Sequence, residues 1–142
     1  MNLGSYFDLT GRVAFVTGAG RGIGLGMATA LADAGADIAS LYNTRYSDVQ
    51  QMAEVRGRRF LPIQLDLATA TPEQLSEVVQ TVASSLGRLD ILVNNAGIIR
   101  RTEAIDYPTA DWDATLQVNL NSAFFLAQAA ARVMMQHPLE NG

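Results

Sequence analysis

Thr17-Gly18-Ala19-Gly20-Arg21-Gly22-Ile23-Gly24 is the stretch on which the reading of this chain turns. Before it, Arg12 to Thr17 (RVAFVT) is an apolar, β-rich run that reads as a buried strand ending at Gly18. After it the pattern becomes helical, with Ile23, Met27, Ala30 and Leu31 at helix spacing and Gly35 as a natural C-terminal stop. A glycine-rich turn between strand and helix lets backbone amides approach a pyrophosphate, and the helix N-terminus adds partial positive charge. A loop that merely reverses the chain is the alternative. The spacing is G-x-x-x-G-x-G on Gly18, Gly22 and Gly24, not G-x-G-x-x-G, because Ile23, Leu25 and Met27 occupy the third-glycine positions. The acidic residue usual about 20 positions on is also missing, since Tyr42 and Asn43 stand at the end of the second strand.

Outward from this turn the strand-helix alternation continues. Ile38 to Leu41 reads as a second strand. Ser47 and Gln50 have capping-box spacing and open a helix carrying Val49, Met52 and Val55, which Gly57 ends. Phe60 to Leu65 is a third strand; Pro62 lacks the amide that a central strand donates, so this strand is expected at a sheet edge. Thr71, Pro72 and Gln74 start the next helix, with Leu75, Val78, Val79 and Val82 on its buried stripe and Gly87 closing it. Leu89 to Val93 is a fourth strand, followed by Asn94-Asn95-Ala96-Gly97. One long helix is then expected from Thr109 to Gln136, roughly 40 Å at 1.5 Å per residue, before a turn-like tail at Asn141 and Gly142. Such alternation predicts an α/β fold with a parallel sheet and right-handed crossovers. No repeat or linker divides the chain, so residues 1–142 read as part of one domain. The pattern nevertheless looks unfinished, because no fifth strand follows the long helix.

Composition removes several chemistries. The 142 residues carry 10 Lys plus Arg against 14 Asp plus Glu, for a net charge of −4, which argues against nucleic-acid binding. Every one of those cations is arginine, so a Walker-type phosphate loop and lysine catalysis are excluded. Without cysteine, and with His137 as the lone histidine, disulfides, thiolate nucleophiles and Cys- or His-rich metal sites are excluded too; no metal site is expected. The most apolar helical run, Ser122 to Met135, is interrupted by Gln128 and Arg132 and is too short for a bilayer. Met1 to Thr10 shows no signal-peptide pattern, so a cytoplasmic chain with no membrane partner is expected.

Four features in order give the chain its resemblance to the short-chain dehydrogenase/reductase family: TGAGRGIG at 17–24, Asp66-Leu67 after the third strand, NNAG at 94–97, and Asn119 in the long helix. The resemblance covers essentially the whole chain. It implies a Rossmann-like, doubly wound sheet in the order 3-2-1-4, truncated after about four strands, and hydride transfer with NAD or NADP. Thr17, Gly18, Arg21, Gly22, Ile23 and Gly24 would form the pyrophosphate loop. Tyr42 would take the acid's place near the ribose, Asp66 and Leu67 would border the adenine, and Asn94, Ala96 and Gly97 would line the crevice and brace the sheet. Asn119 would hold a water in a proton relay; from the residue alone, a locally satisfied amide that kinks the helix is the competing reading.

Arg21 and Arg45 could accept a 2′-phosphate or simply be solvated, which leaves NAD and NADP open. The segments at 57–61 and 98–101 bear a narrower similarity to the gluconate-type sugar-acid dehydrogenases of the family. Arg100 and Arg101 would then hold a sugar-acid carboxylate, against the alternative that they pair with Glu103 and Asp106 on a solvated loop. The family also needs a serine and a Tyr-x-x-x-Lys pair, with the phenol activated by the lysine. None of Tyr6, Tyr42, Tyr46 and Tyr107 is followed by lysine four positions on. In the family those residues lie beyond the equivalent of Gly142, so turnover by these residues alone is not expected. A small-molecule substrate and a family-typical homo-oligomer are the implied partners. A non-catalytic nucleotide-binding or dimerising module is the second hypothesis. A methyltransferase fits poorly, because Thr17 and Tyr42 stand where it would want acids.

Overall fold

In the computed structural model, which describes residues 6–137, β1 (Val13–Thr17), β2 (Asp37–Tyr42), β3 (Phe60–Gln64) and β4 (Ile91–Val93) form one sheet in the order β3-β2-β1-β4. Every pairing is parallel: Phe15 lies opposite Ala39 on one side and Leu92 on the other, and Ser40 faces Pro62. β1 is central and all five of its residues are buried. Pro62 sits in the outermost strand, where the missing amide leaves no inner partner unsatisfied.

Alternation along β1 and β2 sends side chains to opposite faces. Ala14, Val16 and Ile38 meet α1 (Gly22–Asp33) and α2 (Ser47–Val55) through Ala28, Ala32 and Val49. Val13, Phe15, Ala39 and Leu41 meet the other layer through Leu75, Val79 and Val82 of α3 (Pro72–Leu86) and Leu126 and Val133 of α5 (Ala123–Met134). Helices on both faces make the sheet doubly wound, as expected.

Several local expectations are corrected. In α1 the sheet-facing positions are Gly24, Ala28 and Ala32, while Ile23 is 73% and Met27 43% exposed. Small residues face the sheet because the helix lies close to it, so large apolar side chains mark the wrong stripe. α2 has no capping box: Ser47 lies inside the helix with its hydroxyl on Asp48, and Gln50 reaches forward to Glu54. α3 does have one, with Thr71 Oγ1 accepting from the Gln74 amide and Gln74 Oε1 from the Thr71 amide. β4 starts at Ile91, not Leu89, although Leu89 is buried.

The long helix is also not uniform. α4 (Thr109–Leu116) passes into a π-helical stretch, Gln117–Ser122, and then into α5. The expected tail at Asn141 and Gly142 lies outside the described residues. No helix among the described residues is long and apolar enough to cross a membrane, and they contain no cluster of metal-ligating side chains.

Candidate functional site

At the carboxyl ends of the strands, a crevice of about 760 Å³ opens between the turn after β1, the ends of β2 and β3, and the segment after β4. Its volume lies within the range of small-molecule sites. Gly18, Arg21, Gly22, Ile23 and Gly24 form one wall, with Tyr42 beside them. Asp66 and Leu67 form a second wall, and Ala96, Gly97 and Arg100 a third. Thr17, Asn94, Arg101 and Asn119 do not line it.

The glycine turn is shaped by contacts that leave no space for side chains at one end and much at the other. Gly24 packs so closely on Gly18 O and Asn95 Nδ2 that a methyl group would collide with both. Gly22, by contrast, needs its glycine for a backbone φ of +55°, and nothing lies within 4 Å of where its Cβ would be. That open space adjoins the N-terminus of α1. No side chain caps α1, and its first turn carries no carboxylate, whereas α3 is fully boxed. The first-turn amides and the partial positive charge of α1 therefore face open space, with no side chain among the described residues to satisfy them.

Sequence reasoning assigned no separate role to Asn95, which holds this turn in place. Its Nδ2 donates to the carbonyls of Thr17 at 3.0 Å and Gly18 at 3.2 Å. Thr17, buried behind the turn, answers with Oγ1, which accepts from the amides of Asn95 at 3.0 Å and Ala96 at 2.9 Å. The Asn-Asn doublet after a strand was the available signal; which amide points where is set by the β1–β4 pairing. Asn94 points away and donates to Ala123 O at 3.1 Å.

Asn119 is not satisfied locally. It accepts from the Ile98 amide at 2.8 Å and donates to the Ile98 carbonyl at 2.9 Å, so both ends of its amide hold the segment after β4. The Asp66 carboxylate accepts from the Ala68 amide at 2.9 Å, which folds the loop after β3 into a turn. Tyr42 is half-buried, its ring 4.5 Å from that of Tyr46.

A second recess, about 330 Å³, is lined by Arg21, Arg45, Tyr42, Asn43 and Thr44. Gly20 lies against the Arg45 carbonyl, which fixes the distance between the two arginine-bearing loops and was missed in the sequence. No carboxylate lines this recess. Arg100 pairs with Asp111, at 3.6 Å, and not with Glu103 or Asp106, while its carbonyl accepts from Tyr107 Oη at 3.2 Å.

A parallel sheet in this order, wound on both faces and open at its carboxyl edge, defines a Rossmann-like α/β protein. The chain belongs to the short chain dehydrogenase family, whose pattern it matches over residues 12–139. It is 46% identical over 131 residues to a 2-dehydro-3-deoxy-D-gluconate 5-dehydrogenase of Bacillus subtilis (strain 168), an alignment covering 92% of this chain and 50% of that protein. A short chain dehydrogenase of Burkholderia cenocepacia J2315, solved in complex with NADP, superposes with a TM-score of 0.82 at 43% identity over 89% of this chain and 52% of that one. One from Mycobacterium paratuberculosis bound to NAD gives 0.81 at 29% identity, over 91% and 52% respectively. The chain thus spans about half the length of the relatives it matches.

Proposed function

We propose that residues 1–142 are the N-terminal dinucleotide-binding part of a single dehydrogenase domain, in a cytoplasmic NAD(P)-dependent oxidoreductase acting on the CH-OH or C=O of a polyol or sugar acid. The observation that carries this reading is the uncapped N-terminus of α1 facing open space at Gly22, on the carboxyl edge of the sheet. The names of the relatives supply the substrate class and the two cofactor forms.

In this reading Gly18, Gly22 and Gly24 let the turn amides reach the pyrophosphate, and Ile23 packs beside it. Asp66 and Leu67 border the adenine, Tyr42 the ribose, and Ala96 and Gly97 the nicotinamide side. Thr17, Asn94 and Asn119 act from behind, by holding the segments that form the walls. The nicotinamide, when bound, supplies the hydride chemistry. This chain's residues bind it, orient it and exclude water around it. Arg100, on the rim, offers a guanidinium to a sugar-acid carboxylate. No lysine is present to activate a tyrosine, so these residues are expected to bind the cofactor without turning it over.

For the ribose, two guanidinium side chains and no carboxylate line the recess beside Tyr42, which supports a 2′-phosphate there. Calorimetric titration with NADPH and NADH is the test. NADPH should bind about tenfold tighter or more, the value of one charge-assisted hydrogen bond, and Arg45→Glu should remove that margin. Folded protein giving no heat with either dinucleotide overturns the cofactor reading.

A further inference from the structure

The π-helical stretch Gln117–Ser122 is usually where a helix departs from regularity for a reason, and here the register supplies one. In an α-helix, residues five apart point about 140° away from each other, because each step turns about 100°. A π turn closes i onto i+5, so Gln117 and Ser122 stack. The stacked pair shares one target. Ser122 Oγ, fully buried, lies 3.1 Å from Leu67 O and 2.9 Å from Gln117 O. Gln117 Nε2 donates to Leu67 O at 3.3 Å and Ala70 O at 3.0 Å, while its Oε1 accepts from Asn121 at 3.1 Å. Both side chains thus grip the loop that carries Asp66.

Two residues beyond Gln117, on the other side of the helix, Asn119 grips Ile98. Val118, between them, is buried and contributes to the crevice wall. One short segment therefore holds two walls of the crevice, each through a different side chain. In α register Gln117 and Ser122 would diverge and the Leu67 carbonyl would lose one of its two partners.

We infer that Gln117 is a positioning residue: through the π register it fixes the Asp66–Leu67 wall relative to the Gly97–Ile98 wall and so sets affinity for the adenine half of the bound dinucleotide. This rests on the dinucleotide reading given above. Gln117→Met keeps the length of the side chain and removes its donors. In ligand-free protein, hydrogen exchange should rise at the Ala68 and Thr69 amides and stay unchanged at Ile98; Asn119→Leu should do the reverse. Affinity measured by NMR titration should fall about tenfold for 5′-AMP in Gln117→Met, whose loop loses both bonds from Nε2, and by less than about twofold for reduced nicotinamide mononucleotide.

A merely structural glutamine would lower the melting temperature and leave the two affinities unchanged, or lower them alike; either result overturns the inference while wild-type binding of NADPH or NADH keeps the cofactor reading. Wild-type protein that binds neither dinucleotide removes both. Should Gln117→Met not fold, Ser122→Ala takes its place, with the same selective loss for 5′-AMP expected at about threefold. Equal affinities there also overturn it.

Discussion

Gly24→Ala and Gly26→Ala are the same substitution, two residues apart in α1, and the structure gives them opposite signs. At Gly26 the helix is exposed and nothing lies within 4 Å of the added methyl. Alanine there should gain the ordinary helical preference over glycine, about 0.5–1 kcal/mol. At Gly24 the methyl meets Gly18 O and Asn95 Nδ2 closer than real contacts allow. Neither neighbour can yield cheaply, since one is backbone and the other is held by the Thr17 and Gly18 carbonyls. Overpacking of this kind costs about 1–3 kcal/mol, partly offset by the helical gain, so a net loss of about 1–2 kcal/mol is expected. The two variants should then differ by about 1.5–3 kcal/mol, or roughly 5–10 °C in melting temperature for a chain of this size. Thermal unfolding followed by circular dichroism, with a urea titration alongside, measures the difference. Gly24→Ala should also weaken dinucleotide binding, since relieving the contact moves the turn. Equal melting temperatures, or a less stable Gly26→Ala, would refute the account of how α1 is seated.

Two further outcomes follow from single side chains. Asp90 accepts from Arg88, Arg12 and the Val13 amide; burial pushes its carboxyl up, but the Arg88 hydrogen bonds, the Val13 amide and the two guanidinium charges outweigh this and hold it below the usual range. Its stabilising effect is therefore present above the unfolded value near 3.9 and disappears as pH falls through the lower folded value. Asp90→Asn should be less stable than wild type at pH 7 and lose less on acidification below about pH 4, as read from urea midpoints; parallel pH profiles count against it. Ser40 is fully buried in β2 with no hydrogen-bond partner for its hydroxyl among the described residues. Ser40→Ala should raise stability by about 1 kcal/mol, the desolvation recovered from an unpaired hydroxyl, and a drop in the melting temperature would show that the hydroxyl has a partner.

The architecture was readable in the sequence because periodicity and punctuation carry it. RVAFVT followed by glycines marks a buried strand, and Pro62 marks the outer one; that the first lies at the centre was implied by the family resemblance. Thr71-Pro72-Gln74 and Ser47-Gln50 have equally good capping spacing, yet only the first pair caps. Spacing alone does not say where the chain turns helical, and at Ser47 it has already done so. The α1 stripe was misassigned because closeness to a sheet selects for small side chains, which carry little hydrophobic signal. The π stretch was not legible either: it is specified by Gln117, Ser122 and their targets in a loop some 50 residues earlier, which no local window contains. For the site, the glycine turn and the Asn-Asn doublet could be located, but not the division of labour between Asn94 and Asn95.

The bond between Asn95 and the turn after β1 joins residues 77 and 78 positions apart. During synthesis the first eight-residue motif emerges early, yet the amide that braces it is made only after three more strands and three helices. Until then the turn has its Gly18 amide on the Leu41 carbonyl and Gly20 against Arg45 but lacks the side chain that ties its carbonyls to the segment after β4, and a chain interrupted before position 95 would possess the signature without its full geometry. In such a protein the geometry of the turn is completed late, only when β4 joins the sheet beside β1.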